Sequence, residues 1–271
     1  MALININHLS NTLQRTVDIN CYFPNDLQKC EEIKGVITLL HGYTGNSSVW
    51  FKYTAVCRYA ADNNLVVICP SADNSFYTDM VYGGNYYTYI TKEMPEYLNK
   101  TLKIPTERSK NIIAGLSMGG YGALMIGLNN PDKYFTCASF SGAVMVDEMA
   151  KAKDLNVIQE IFYPVFGENL NVPDKYKLLY LAEKVSKLPK EEQPNIYVTC
   201  GLQDEDNMLI LSQNKMFQEG VSKMDLPCTF EYWNGVHEWN FWDVSIAKTI
   251  DKYFNNGYFQ DKVKNTWGNQ F

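Results

Sequence analysis

The 271-residue sequence predicts one α/β domain, built on a mostly parallel central sheet with helices on both faces. Short runs of almost wholly apolar residues recur along the chain, and such runs are typical of strands buried on both faces. Helix-like segments alternate with these runs, which indicates βαβ units. The length suits one large domain with a sizeable core.

The N-terminal quarter departs from this parallel pattern. Residues 2–8 and 14–23 alternate between apolar and polar side chains, which predicts an antiparallel pair at a sheet edge. The first buried parallel strand is expected at residues 36–40, and a helix at about 53–63 and a strand at 65–70 follow it.

The same alternation continues through the rest of the chain. A polar loop at 71–84 precedes a predicted helix at 86–102, in which Pro95 marks a first turn or a kink. The remaining predicted strands are 111–116, 135–140, 196–201 and 228–233, and the remaining predicted helices are 118–128, 208–220 and 239–254.

Between residues 143 and 190 the regular alternation pauses, and charges, prolines and aromatic residues mix. We interpret this stretch as a cap-like insertion over the active-site end of the sheet. The whole chain, 1–271, is then one domain and not two.

Composition and charge exclude several classes of protein. The net charge of −6 and the lack of a long basic run argue against nucleic acid and against an anionic membrane surface as partners. No apolar run approaches membrane-spanning length, and no secretory signal is visible, which predicts a cytoplasmic protein. The sequence leaves open whether the chain forms a homo-oligomer.

Seven cysteines are present, an odd number without a C-x-x-C pair. This pattern indicates free, mostly buried thiols of a reducing compartment, and it does not predict a zinc site. The residues are Cys21, Cys30, Cys57, Cys69, Cys137, Cys200 and Cys228.

A G-x-S-x-G motif centres on Ser117, which ends an apolar strand and begins a glycine-rich helix. This setting is that of the nucleophile elbow, a sharp strand-to-helix turn that exposes the serine Oγ. Gly115 and Gly119 leave room where side chains would clash with the neighbouring strand and helix. Ser117 is therefore the candidate nucleophile.

A serine hydroxyl needs a base, and histidine is the usual one. The chain has three histidines: His8 on an N-terminal strand, His41 after the strand at 36–40, and His237 after the last strand. The order Ser, acid, His that accompanies a nucleophile elbow leaves only His237, because it alone follows Ser117.

The acid is expected between these two residues, in a loop after a strand. Asp204 is the preferred candidate, since it could accept the His237 Nδ1–H bond and fix the tautomer. Glu205 and Asp206 are rivals that the pattern alone leaves open, and Asp225 is a weaker candidate.

An oxyanion hole needs two backbone donors. The first is expected to be the N–H of Met118, directly after the nucleophile, and the second to come from the HGYTGN loop. In that loop we favour the Tyr43 N–H, with Thr44 as a near alternative.

Six separated motifs resemble the esterase D family of α/β-hydrolases, and most closely its branch of bacterial tributyrin esterases and other small carboxylesterases. They run in the expected order from about residue 39 to residue 242. The matching segments are LLHGYTGNSSVW, SADNSFYTDMVYGGNYYTYI, IAGLSMGGYGAL, ASFSGA, VTCGLQDEDN and GVHEWNFW.

The resemblance implies an α/β-hydrolase fold, with Ser117 as nucleophile and His237 as base. The aspartate of C-G-x-x-D would be the acid, which favours Asp204 over Asp206. Members often carry Glu-Asp-Phe-Leu where this chain has QDED. The formylglutathione hydrolase relatives usually carry a cysteine soon after the HG pair, where this chain has TGN.

The expected activity is a serine carboxylesterase that cleaves short-chain esters, such as acetyl esters, through an acyl-enzyme without cofactor or metal. Alternatives are an acetyl-xylan or feruloyl esterase, an S-formylglutathione hydrolase, and a non-catalytic binding protein. The expected partner is a small-molecule ester. Trp239, two residues after the candidate base, is expected to brace His237.

Overall fold

The computed structural model describes residues 2–24, 33–151, 156–205 and 208–255. One eight-stranded sheet forms its centre, in the order β1-β2-β4-β3-β5-β6-β7-β8. The strands are β1 (Ala2–Ser10), β2 (Arg15–Phe23), β3 (Gly35–Leu40), β4 (Leu65–Pro70), β5 (Asn111–Leu116), β6 (Thr136–Phe140), β7 (Asn195–Gly201) and β8 (Cys228–Trp233).

Strands β3 to β8 pair in parallel, whereas β1 pairs antiparallel with β2 and β2 antiparallel with β4. The predicted mostly parallel sheet with an antiparallel N-terminal pair is therefore confirmed. In the hairpin, Ile6 lies opposite Ile19 and Ile4 opposite Cys21. One face of each strand thus turns toward the core, as the alternating sequence predicted.

Helices cover both faces of the sheet, as predicted. They are α1 (Val49–Tyr53), α2 (Val56–Asp62), α3 (Tyr86–Thr88), α4 (Met94–Leu102), α5 (Met118–Asn129), α6 (Val146–Lys151), α7 (Asn156–Phe166), α8 (Leu178–Val185), α9 (Ile210–Val221) and α10 (Trp239–Phe254). Neighbouring strand residues divide between two hydrophobic clusters: Ile112 belongs to one with α1, α2 and α10, and Ile113 to the other with α5, α8 and α9. Buried strands thus need apolar residues on both faces, which explains the continuous apolar runs.

The helix predicted at 86–102 is interrupted. A π-helical turn, Tyr89–Glu93, joins α3 to α4. Pro95 has no N–H to donate to the carbonyl one α-helical turn earlier. The series of backbone hydrogen bonds along the helix is therefore interrupted where the π turn ends. Pro95 therefore lies in the first turn of α4, which is one of the two predicted alternatives, directly after the π turn.

The stretch at 143–190 contains α6, α7 and α8, followed by β7. Two backbone hydrogen bonds join its middle to the loop after β4: Val81 N–H donates to Val165 O, and Tyr82 N–H to Pro164 O. That this stretch acts as a cap within a single domain stays a prediction.

Six of the seven cysteines lie in the described ranges, and all six are free; Cys30 lies outside them. They are Cys21, Cys57, Cys69, Cys137, Cys200 and Cys228. None of the helices described is both long and apolar enough to cross a membrane.

Candidate active site

Ser117 lies between β5 and α5 with φ 52° and ψ −118°, a region that costs a non-glycine residue energy. The surrounding backbone stabilises this conformation. The Ser117 N–H donates to Phe140 O at 3.0 Å, and the Ser117 carbonyl accepts from Gly120 and Ala143 at 2.9 and 3.2 Å. The strained turn therefore presents the serine at the start of a helix.

The glycines of the motif allow this turn because backbones approach closely there. A Cβ on Gly115 would lie 2.3 Å from Gly119 O, and a Cβ on Gly119 would lie 2.4 Å from Leu40 O. Neither contact is possible for a real side chain, since both obstacles are backbone atoms. The close approach brings the end of β3 against the elbow.

His237 and Asp204 are in direct contact. The His237 Nδ1 lies 3.1 Å from Asp204 Oδ2 and 3.2 Å from Oδ1. The Asp204 side chain is 2% exposed and the His237 side chain 36%, so the histidine lies between a buried carboxylate and solvent. A carboxylate accepts only, so Nδ1 carries the hydrogen and Nε2 is left to act as a base.

The loops that carry these two residues are joined by hydrogen bonds. The Gln203 N–H donates to Gly235 O at 3.1 Å, and the Gly235 N–H donates to Gln203 Oε1 at 2.8 Å. A Cβ on Gly201 would lie 2.2 Å from Gly235 O, so the backbones touch. The glutamine of the QDED segment therefore aligns the acid loop with the histidine loop.

The rival acids have other partners. The Glu205 carboxylate accepts hydrogen bonds from the Ser212 hydroxyl and, at 3.3 Å, from the Ser212 N–H in the first turn of α9. Asp225 is exposed and forms an ion pair with Lys190. Asp206 lies outside the described residues.

The loop after β3 lies against the elbow. A Cβ on Gly42 would lie 3.4 Å from Ser117 Cβ, which brings the Tyr43 peptide next to the serine. The Thr44 N–H donates to Asn74 Oδ1 at 2.7 Å and is therefore engaged. Across the described residues, the Tyr43 and Met118 amides donate no hydrogen bond, so both stay available to an oxyanion.

His41 supports this loop from inside the fold. Its Nδ1–H donates to Gly42 O at 2.7 Å, and its Nε2 accepts from the Ala72 N–H at 3.0 Å. The Tyr77 hydroxyl donates to the His41 carbonyl at 2.8 Å. Burial lowers the pKa of His41, which keeps the ring neutral and suited to these two bonds.

His8 lies away from this constellation. It contacts Glu93 at 3.3 Å and packs against Tyr97, with ring centroids 4.2 Å apart. Of the three histidines, therefore, His237 has a buried carboxylate partner and a partly exposed ring, whereas His41 and His8 serve packing and hydrogen bonding.

The residue that packs on His237 is Trp242, not Trp239 as expected. The His237 and Trp242 rings meet edge to face, with centroids 4.9 Å apart. Trp239 packs instead between Trp242 and Trp50, at 5.1 and 5.6 Å. Trp239 and Trp242 are three residues apart on α10 and thus share a face, a spacing that could have pointed to Trp242.

A cleft of about 470 Å³ opens beside Tyr43. Its walls come from the β1–β2 turn, the loop after β4 and α7. Of the tyrosines around the loop at 71–84, Tyr86 lines the cleft, whereas Tyr77 and Tyr89 are fully buried. Tyr82 is exposed and stacks on Tyr163.

Ser117 Oγ forms no hydrogen bond with His237 in the described part of the chain. Catalytic contacts of this kind are often long before substrate binds. The elbow serine, the histidine–carboxylate pair and two available amides nevertheless supply each group that acyl transfer needs.

The eight-stranded sheet and the elbow define a hydrolase of the α/β-hydrolase fold. A family model described as "Putative esterase" matches residues 10–253, and the chain belongs to this esterase family. The predicted fold and the resemblance to an esterase family are thus confirmed.

Known esterases and serine hydrolases are similar to this chain over nearly its whole length. An acetyl esterase of Caldicellulosiruptor saccharolyticus is 28% identical over 93% of this chain and 97% of its own length. The fluorophosphonate-binding serine hydrolase F of Staphylococcus aureus, also 28% identical, superposes with a TM-score of 0.82 over 94% of this chain and 98% of its own. An S-formylglutathione hydrolase of Staphylococcus aureus, again 28% identical, gives 0.78 over 94% and 99%. The chain is a carboxylic ester hydrolase.

Proposed function

We propose that the protein is a serine carboxylesterase that hydrolyses esters of short acyl groups, such as acetyl, with Ser117, His237 and Asp204 as its triad. The observation that carries this proposal is the 3.1 Å contact of His237 Nδ1 with the buried Asp204 carboxylate. That contact orients the imidazole as a base, in a chain whose strand-to-helix turn presents a serine.

In the first step, His237 Nε2 takes the hydroxyl proton while Ser117 Oγ attacks the ester carbonyl carbon. Asp204 stabilises the imidazolium that forms and keeps its own charge. The negative charge on the carbonyl oxygen is met by the Met118 and Tyr43 amides. Preorganised donors of this kind are commonly worth a factor of about 10² to 10³ in kcat each.

Collapse of the tetrahedral intermediate breaks the ester C–O bond, and His237 returns its proton to the leaving alcohol. Water then attacks the acyl-Ser117 ester by the same route, with His237 again as base. The carboxylic acid leaves and the serine is restored. The nucleophile of the first step, the base and the oxyanion donors in this cycle are all groups of the chain itself.

The preference for short acyl groups is supported by the acetyl esterase relative. S-formylglutathione hydrolysis is the second candidate, because a hydrolase of that substrate is 28% identical and similar in structure. A ferulic acid esterase of similar structure is only 20% identical, and that likeness concerns the fold alone. Feruloyl and acetyl-xylan esters are therefore included among the substrates to be tested.

The six free thiols of the described residues support a reducing compartment, and we propose the cytoplasm. The binding partner that we propose is the small-molecule ester substrate.

The test is a substrate panel with purified protein. It contains p-nitrophenyl esters of rising chain length, S-formylglutathione, acetylated xylo-oligosaccharides and methyl ferulate. We expect the highest kcat/KM on the acetyl and neighbouring short esters. Higher kcat/KM on S-formylglutathione would favour the second candidate, and no turnover on any substrate would refute an esterase function.

Ser117→Ala tests the nucleophile. We expect kcat on p-nitrophenyl acetate to fall by several orders of magnitude, as is usual when a triad member is lost. Ser186→Ala, at the surface end of α8, is the matched control and should keep full activity. Intact-mass spectra after a fluorophosphonate should show one adduct on the wild type and none on Ser117→Ala. An adduct on Ser117→Ala would mean that another residue is the nucleophile.

A further inference from the structure

The cleft beside Tyr43 is larger than an acetyl group needs. Its volume of about 470 Å³ falls within the range of sites that bind whole small molecules. Tyr43 lines the cleft, and its neighbour Gly42 abuts Ser117, so the loop after β3 connects the cleft to the elbow. In an esterase of short acyl groups, the alcohol part of the ester is the larger part that could fill it.

One wall of this cleft is held rigidly. Leu13 lines it from the turn between β1 and β2, and Arg15 from the start of β2. The Glu93 carboxylate pins that turn, accepting from the Asn11 and Thr12 N–H groups at 2.7 and 2.8 Å and from the Ser10 hydroxyl at 2.8 Å. These are charge-assisted bonds, so the wall is set before substrate arrives.

The polar part of the wall is an ordered chain of side chains. Arg15 Nη1 donates to Asp73 Oδ2 at 2.7 Å, and the buried Tyr86 hydroxyl donates to the same oxygen. Asn74, the next residue, has its Oδ1 engaged by the Thr44 N–H. The guanidinium and carboxylate charges therefore offset each other, although both side chains are about half exposed.

Glu160 on α7 closes the opposite side of the cleft, and its charge is not offset. Across the described ranges, no ion pair or hydrogen bond joins its carboxylate to a cation. Two carboxylates and one guanidinium therefore leave the cleft with a net charge of about −1. The net charge of the chain, −6, has the same sign.

We propose that this cleft binds the alcohol part of the ester and selects by charge, favouring cationic and neutral alcohols over anionic ones. The proposal rests on the proposed esterase function and adds its specificity. The Glu160 carboxylate attracts cationic alcohols and repels anionic ones. Arg15 neutralises the Asp73 carboxylate and so keeps the negative charge of the cleft small; without Arg15, a second carboxylate would lack a cationic partner.

The test uses three acetate esters of similar size: acetylcholine, its neutral carbon isostere, and O-acetylisethionate, which carries a sulfonate. At low salt we expect kcat/KM for acetylcholine to exceed that for O-acetylisethionate by about two- to five-fold, the scale of an exposed charge pair. The ratio should approach one in about 1 M salt, where charges are screened beyond about 3 Å.

Two variants should move this ratio in opposite directions. Glu160→Gln should lower it toward one, whereas Arg15→Met should raise it by a similar factor. Glu96→Gln removes an exposed carboxylate that pairs with Lys100 on α4, outside the cleft, and should leave the ratio unchanged. Circular dichroism checks that each variant is folded.

A wild-type ratio of one with hydrolysis of the neutral ester would overturn the charge selection and leave the esterase function standing. A ratio that moves the same way in Glu160→Gln and Arg15→Met, or equally in Glu96→Gln, would also overturn it. Hydrolysis of none of the three esters, nor of p-nitrophenyl acetate, would refute the function and the selection with it.

Discussion

The imidazole of His237 meets the indole of Trp242 edge to face, with ring centroids 4.9 Å apart and planes at 88°. Through Nδ1 the imidazole contacts the Asp204 carboxylate. Aromatic pairs in this arrangement are worth about 0.5–1.5 kcal/mol beyond their buried area. The ring is thus oriented by a hydrogen bond and by packing together.

Trp242→Leu should therefore lower kcat by about ten- to a hundred-fold on p-nitrophenyl acetate, since small misplacements of a catalytic group are costly. Trp239→Leu is the matched control, because Trp239 belongs to the same aromatic stack and, among the ring pairs of the described residues, packs on Trp242, Trp50 and Tyr53 rather than on His237. Both variants should lower the melting temperature. An equal loss of kcat in both would show that the contact of Trp242 with His237 has no specific role in orienting the imidazole.

The acid loop allows a direct comparison of neighbouring carboxylates. Asp204→Asn should reduce kcat by about three to four orders of magnitude, because an amide no longer holds the required tautomer. Glu205→Gln should keep kcat within about ten-fold and lower stability by about 0.5–1 kcal/mol, through its contact with the first turn of α9. Steady-state kinetics and urea unfolding measure the two effects.

Asp206→Asn completes this comparison. The proposed triad requires its kcat to stay near that of the wild type. A greater loss at Asp206 than at Asp204 would transfer the role of acid to Asp206.

The central strands were predictable within one or two residues because burial on both faces demands continuous apolar runs. The strand expected at 111–116 is β5, Asn111–Leu116, and the strand expected at 65–70 is β4, Leu65–Pro70. The π turn at Tyr89–Glu93 was not predicted. Its last residue, Glu93, contacts the β1–β2 turn across more than 80 residues, an interaction that no local pattern indicates.

The residues of the candidate site were likewise predictable only in part from the sequence. Chain order and the elbow motif were enough to propose Ser117 and His237. Asp204 was also preferred from the sequence, over Glu205, Asp206 and Asp225, but the partners of its described rivals, such as the ion pair of Asp225 with Lys190, are long-range contacts that no local pattern encodes. The role expected for Trp239 went to Trp242, because the side-chain direction on α10 decides which indole reaches the imidazole.

Glu93 should make stability dependent on acid pH. Burial alone would raise its pKa, but the hydrogen bonds from Thr12, Asn11 and Ser10 prevail and lower the pKa to about 2. The folded carboxylate therefore binds a proton less readily than the unfolded one. Its contribution to the free energy of unfolding is complete above about pH 4.5 and is lost as the pH falls toward 2.

Glu93→Gln should lower the free energy of unfolding by about 1.5–3 kcal/mol at neutral pH, the scale of hydrogen bonds to a charged group. The difference from the wild type should shrink as the pH is lowered from about 4.5 to 2. Glu96→Gln, on the same helical stretch, should change stability by less than about 1 kcal/mol at any pH. Urea unfolding across this pH range checks both, and a difference independent of pH would contradict the assignment.

His41 should couple the loop that carries Tyr43 to pH near neutrality. Burial lowers the pKa of His41 below its ordinary value of 6.5, so the unfolded chain binds a proton more readily than the folded one. A protonated ring would also turn Nε2 into a donor facing the Ala72 N–H, which is itself a donor. Stability from this residue should therefore be complete above pH 6.5 and decline as the pH falls below that value.

His41→Leu removes the acceptor for Ala72 and the donor to Gly42, and it should loosen the turn that presents the Tyr43 amide. We expect kcat on p-nitrophenyl acetate to fall by about ten- to a hundred-fold with KM changed less, because an oxyanion donor acts in the transition state. The variant should also lose the part of the melting-temperature decline that the wild type shows below pH 6.5. A rise in KM with unchanged kcat would instead mean that His41 shapes substrate binding, and that the Tyr43 amide does not depend on it.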